Sequence, residues 1–114
     1  MPSDNFYIAN QFSMLSKLME IHGENSFKSK SYSIAAFNIE KLPVIIGDID
    51  RHKIFSFKGI GDNIGKKIIE ILEKGELSQL QDLIKKTPPG IIEMLQIKGL
   101  GPKKISVIWK EMEK

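Results

Sequence analysis

Apolar residues recur along this chain at intervals of three and four, and almost nowhere at intervals of two. Ile8, Phe12, Leu15, Leu18 and Met19 mark one face of a first stretch, the spacing of a helix that buries one side. Ser3 or Asp4 is placed to cap its start, because a short polar side chain there accepts from a free backbone N–H; Gly23 marks its end. A second helix, capped by Asn25 or Ser26, is expected to turn Phe27, Ile34, Ala35, Ile39 and Leu42 inward and to stop before Pro43. A short helix over 44–49 and an irregular stretch come next, and 53–57 is a brief β-like run absorbed by the next turn. Residues 62–74 put Ile64, Ile68, Ile71 and Leu72 on one stripe, with Gly75 as the stop. The next helix, 77–86, carries Leu80, Leu83 and Ile84. Thr87-Pro88-Pro89-Gly90 then breaks the chain, and its prolines suit the first turn of a new helix. Ile91, Ile92 and Leu95 form that short helix, and Pro102 opens a last one bearing Ile105, Ile108, Trp109 and Met112. The pattern predicts an all-α fold, a helical bundle over 1–86 followed by a small helical unit over 87–114.

One phrase occurs twice, as Phe57-Lys58-Gly59-Ile60-Gly61 and as Ile97-Lys98-Gly99-Leu100-Gly101. Four, seven and eleven places after the second glycine stand Gly65, Ile68 and Leu72 in one copy and Ile105, Ile108 and Met112 in the other. Two glycines around one apolar residue make a tight turn, since glycine accepts backbone angles that a side chain forbids. The helix after each turn begins with N–H groups that have no partner within it, and its dipole is positive at that end. Such an end seats a phosphate. Lys58, Lys66 and Lys67 stand beside the first seat, and Lys98, Lys103 and Lys104 beside the second. This is the helix-hairpin-helix signature, and it points to a nucleic acid backbone. A structural corner or a protein-docking module is the blander reading of the same turns; a patch of apolar residues in place of these lysines would favour docking.

Composition narrows the reading. The chain has 114 residues, a net charge of +3 and, among 17 basic residues, a single arginine, Arg51. Arginine is the usual bidentate reader of guanine, so its scarcity favours phosphate contact over base readout. The absence of cysteine excludes disulfides, thiolate zinc sites and a cysteine nucleophile. No apolar run reaches membrane-spanning length, so the expectation is a cytoplasmic, nucleoid-associated protein with no membrane partner.

Four blocks resemble the N-terminal part of family X DNA polymerases, the group that includes polymerase beta and the bacterial X polymerases. They are Gly23-Glu24-Asn25-Ser26-Phe27-Lys28, Tyr32 with Ala35-Ala36, and the two hairpins. The resemblance implies a lyase-type domain over 1–86 and, over 87–114, the hairpin that opens the fingers region. DNA that is gapped, nicked or single-stranded would be the partner, in repair or gap-filling synthesis, with other repair proteins as further candidates. The Gly-Ser motif and paired aspartates of the family's palm domain have no counterpart here, so this chain is not expected to polymerise by itself. Asp48 and Asp50 read as solvated surface.

The same resemblance puts Lys67 at the family's nucleophile for 5′-deoxyribose-phosphate lyase chemistry, six residues after Gly61. A lysine attacks the sugar aldehyde when burial or nearby cations favour its neutral form, and Lys66 and Lys28 are the candidate cations. A solvated helix lysine contacting phosphate is the alternative for Lys67, and the two stay open. By resemblance Lys28 holds phosphate, Tyr32 lines the pocket and Phe27 stacks on a base. Three further lysine positions of the family pocket correspond to Phe55, Asn63 and Gln79, which should weaken phosphate capture. The family's hairpins also hold K+ or Na+ through backbone carbonyls, here those of Phe55, Phe57 and Ile60, then Leu95, Ile97 and Leu100. No cofactor is required on this reading. His22 and His52 read as surface residues, Trp109 and Met112 as core, and Lys85-Lys86 as a helix-end charge pair.

Overall fold

A computed structural model describes residues 4–97 and 99–112. They form α1 (Asn5–Ile21), α2 (Ser26–Glu40), two 3-10 turns (Ile46–Asp48 and Arg51–Ser56), α3 (Asp62–Lys74), α4 (Ser78–Lys85), α5 (Pro89–Leu95) and α6 (Pro102–Met112). The fold is all-α, with no strand among the described residues; the β-like run at 53–57 is taken up largely by the second 3-10 turn.

The caps sit where short polar residues were expected. Asp4 accepts from the Phe6 N–H at 2.8 Å, and Asn25 from the Lys28 N–H at 3.1 Å; Ser3 lies outside the described residues. Gly75 closes α3 in the left-handed region, φ 87°, where a Cβ is strained.

The antiparallel pair α1–α2 is the frame. Two serines link it: Ser16 Oγ donates to the Ser29 carbonyl at 2.7 Å, and Ser29 Oγ donates back to the Ser16 carbonyl at 3.0 Å, both buried. This fixes the face of α2 that goes inward: Ser29, Tyr32, Ala35, Ala36 and Ile39 are buried. Phe27 and Ile34 fall off that face and are 79% and 53% exposed, contrary to the sequence expectation. Asn5 ties the first 3-10 turn to α1, donating to the Val44 carbonyl and accepting from the Ile46 N–H.

The start of α4 is satisfied from two other helices. The Leu77 N–H donates to buried Gln11 Oε1 at 3.1 Å, and the Ser78 N–H to Glu70 Oε2 at 3.1 Å. Tyr7 Oη donates to the Gly75 carbonyl and secures the end of α3.

The described part of the second unit, 87–97 and 99–112, is laid on α1. Ile91, Leu95 and Ile105 belong to the same buried cluster as Ile8, Phe12, Leu15 and Ile68. His22, read from sequence as a surface residue, is a half-buried tie: its Nε2 lies 2.8 Å from Thr87 Oγ1, and its ring meets Trp109 edge-on at 5.3 Å. Trp109 is half-buried, but Met112 is 67% exposed and not core, and Ile108 is also exposed. Helix α6 meets the bundle along the face that carries Ile105 and Trp109, and Val107, Ile108 and Met112 lie off that face and stay exposed.

Candidate nucleic-acid interface

The two hairpin turns repeat in backbone geometry as well as in sequence. In the first, the Ile60 N–H donates to the Phe57 carbonyl at 3.1 Å and the Gly65 N–H to the Gly61 carbonyl at 2.8 Å. In the second, Leu100 N–H to Ile97 carbonyl is 3.2 Å and Ile105 N–H to Gly101 carbonyl is 3.1 Å. Gly59 and Gly99 both sit at φ 89°. The left-handed step that tightens each turn therefore belongs to its first glycine.

The second glycine differs from expectation. Gly61 has φ −85° and ψ −178°, extended backbone open to any residue, and Gly101 is not among the positive-φ glycines. A Cβ built on either meets nothing within 4 Å. Neither conformation nor packing inside the protein calls for glycine at these two positions. What a missing Cβ leaves there is clearance, directly beside the start of α3 and α6.

No side chain caps α3, so its first-turn N–H groups are left to an outside acceptor. Lys58 and Lys66 beside the first seat, and Lys103 and Lys104 beside the second, are exposed, while Lys67 is half-buried; Lys98 lies outside the described residues. Asp62 in the first turn of α3 is an opposing charge at the first seat. Packing holds the seat from behind, because Gly65 lies under the Phe55 ring, where a Cβ would come within 2.3 Å of a ring carbon.

A second cluster forms where α1 to α4 converge. Lys67 Nζ donates to Gln79 Oε1 at 2.8 Å and lies 5.6 Å from the centre of the Tyr32 ring. Tyr32 is buried, and its Oη accepts from Asn63 Nδ2 at 3.4 Å. Gln79 Nε2 reaches Met19 Sδ at 4.0 Å. Asn63 and Gln79, read from sequence as lost phosphate lysines, are thus the polar partners of Tyr32 and Lys67, and Phe55 is the lid on Gly65. Phe27 and Lys28 stand exposed on the first turn of α2. Gln11 and Glu70 escaped the sequence reading, although Gln11 carries a visible signal, a polar residue at the helical spacing of Ile8, Phe12 and Leu15.

Among the described residues no group of three or more His, Cys, Asp or Glu is placed to hold a metal ion. No helix among them is long and apolar enough to cross a membrane.

Residues 3–77 match the family model of the helix-hairpin-helix domain. Over 94 residues, 82% of this chain, the sequence is 34% identical to the DNA polymerase/3'-5' exonuclease PolX of Bacillus subtilis (strain 168) and spans 16% of that protein's length. The likeness to family X DNA polymerases carried by the glycine turns is borne out by this relative.

Proposed function

The chain belongs to the helix-hairpin-helix domain family, and on that premise we propose that it binds DNA through the sugar–phosphate backbone without reading sequence, in a repair or gap-filling setting. The observation that carries this is the clearance at Gly61 and Gly101. A glycine that the protein's own backbone and packing do not need is explained by a partner that comes close from outside. The uncapped N–H groups, the helix dipole and the exposed lysines make an anion the complement. Gapped, nicked or single-stranded DNA is the form proposed, with a cytoplasmic, nucleoid-associated location.

Titration of labelled mixed-sequence DNA at two salt concentrations tests this. The logarithm of affinity should fall with the logarithm of salt by roughly 0.9 for each phosphate neutralised. Gly61→Val combined with Gly101→Val should weaken every sequence alike. Full affinity in that double variant, or sequence-selective binding that survives high salt, overturns the reading.

Lys67 extends the proposal to 5′-deoxyribose-phosphate lyase activity; what supports it is position, a half-buried lysine beside the pocket tyrosine Tyr32. Nζ would attack the sugar aldehyde carbon, water would leave to give the imine, and loss of the adjacent C2′ proton would expel the 3′-phosphate. Lys28 would steady the 5′-phosphate, and Phe27 would stack on a base. K+ or Na+ at the hairpin carbonyls is part of the same proposal. Phe57 and Ile97 carbonyls each accept one turn hydrogen bond, which leaves a second lone pair for a cation. Comparing binding in K+, Na+ and Li+ at equal ionic strength tests that site.

Docking of a repair partner is the alternative. The surroundings of the glycine turns keep their lysines. The exposed apolar residues Phe6, Val44 and Ile45 instead line a groove of about 420 Å3 with Asp4 and Glu40, away from both turns.

A further inference from the structure

Two open grooves flank the second hairpin, and their charge distinguishes them. One, of about 680 Å3, runs from Lys103 to the α1–α2 corner and includes the carboxylates Glu20 and Glu24 with Lys30. The other, of about 660 Å3, has Gly99, Gly101 and Pro102 on one wall and Asn10, Met14 and Lys17 of α1 on the other. Among the described residues no Asp or Glu lines this second groove.

Asn10, Met14 and Lys17 succeed one another at four and three residues, so they share a stripe of α1. That stripe is turned to the glycine turn because the second unit is laid on α1 through its described residues, with Ile105 fully buried. Lys17 is half-buried and has no hydrogen bond or ion pair among the described residues. A lysine so placed rests its aliphatic stem on the protein and keeps its ammonium at the open side. The Lys17 cation, two side-chain amides (Asn10 and Gln96) and the clearance at Gly101 thus share a groove that, among the described residues, has no carboxylate on its walls.

We infer that Lys17, with Asn10, completes the phosphate seat of the second hairpin, so that α1 and the turn grip one backbone phosphate together. The inference rests on the backbone-binding reading above. The first seat is built differently: Asn38 of α2 approaches Gly59, within 2.5 Å of a Cβ placed there, and brings a neutral amide instead of a cation. The second seat therefore draws on both parts of the chain, and the docked arrangement strengthens binding at the hairpin.

The test uses the whole chain, a labelled mixed-sequence gapped duplex, and Lys17→Ala, Lys17→Gln, Lys17→Arg and Lys103→Ala. Lys17→Ala and Lys17→Gln should weaken binding roughly 3- to 10-fold at low salt and lower the salt slope by about one. Lys17→Arg should restore both. Should Lys17→Ala also lower the melting temperature, the Gln and Arg variants carry the comparison, since both keep a long side chain and only one keeps the charge. Lys17→Ala and Gly101→Val combined should lose less than the product of their separate losses, because both act on one phosphate. Wild-type affinity and slope in Lys17→Gln, or fully multiplicative losses with Gly101→Val, overturn the shared seat. If Lys103→Ala and Gly101→Val still weaken binding then, the backbone-binding reading stands without it. If no variant changes binding, both fall.

Discussion

His22 donates a hydrogen bond to Thr87. The Thr87 hydroxyl has one proton, and it is already given to the Leu83 carbonyl at 2.7 Å. At 2.8 Å from His22 Nε2 the oxygen must therefore accept, so the imidazole carries its proton on Nε2. The end of α1 is thereby tied to the linker that introduces the second hairpin, and the same ring meets Trp109 of α6.

Replacing His22 with alanine should loosen the second unit more than it unfolds the bundle. The lost hydrogen bond and ring contact should cost about 1–2 kcal/mol. Limited proteolysis should show faster cleavage near Pro88 and Gly90, with α1–α2 still protected. Unchanged cleavage and unchanged denaturation would remove the tie.

The two glycines of the first turn should separate stability from binding. Gly59→Ala places a side chain at φ 89° and should destabilise by about 1–3 kcal/mol. Gly61→Ala meets open space in an allowed conformation. It should leave stability unchanged or raise it by up to about 1 kcal/mol by restricting the unfolded chain. Chemical denaturation of the two variants, run beside DNA titration, checks the contrast. A Gly61→Ala protein that is clearly less stable than Gly59→Ala would reverse it.

Glu70 should contribute an acid-sensitive part of the stability. The Ser78 hydroxyl, with the Ser78 N–H, Lys74 and Lys67 adding to it, holds its carboxyl below the ordinary value of 4.5, against an opposing effect of burial. A carboxylate whose value is depressed on folding stabilises the fold fully above its unfolded value and loses that contribution as pH falls through the folded one. Glu70→Gln should thus lower stability at neutral pH and matter progressively less below about pH 4.5. Denaturation midpoints of both proteins from pH 7 to about pH 3 give the difference; a gap that widens on acidification would contradict the assignment.

If the lyase reading holds, borohydride should trap Lys67 on an incised abasic site. Lys67→Ala should abolish the adduct and keep most of the affinity, since one amine does the chemistry while several groups share the phosphates. Lys28→Ala should mainly weaken capture of the 5′-phosphate. No adduct from the native protein at saturating DNA would reduce it to a binding module, and an adduct that persists in Lys67→Ala would move the nucleophile to another lysine.

Periodicity and capping chemistry are local, and the sequence alone carried the helices, a cap at Ser3 or Asp4 and at Asn25 or Ser26, the stop at Gly75, and the repeated glycine turns with their lysines; the structure selects Asp4 and Asn25. Tertiary structure decided which face of each helix is covered. Phe27 and Ile34 look inward by period, yet the buried Ser16–Ser29 pair turns another face of α2 to α1 and leaves them exposed. Chain reversal likewise brings distant polar residues together, so Gln11 finds the Leu77 N–H, His22 finds Thr87, and Gln79 finds Lys67. In the glycine pairs, composition showed the turn, but only the backbone angles and the space around each Cα separated the glycine the turn needs from the one that leaves room for a partner. Lys17 had no signal at all in sequence, because its meaning depends on what α6 brings alongside α1.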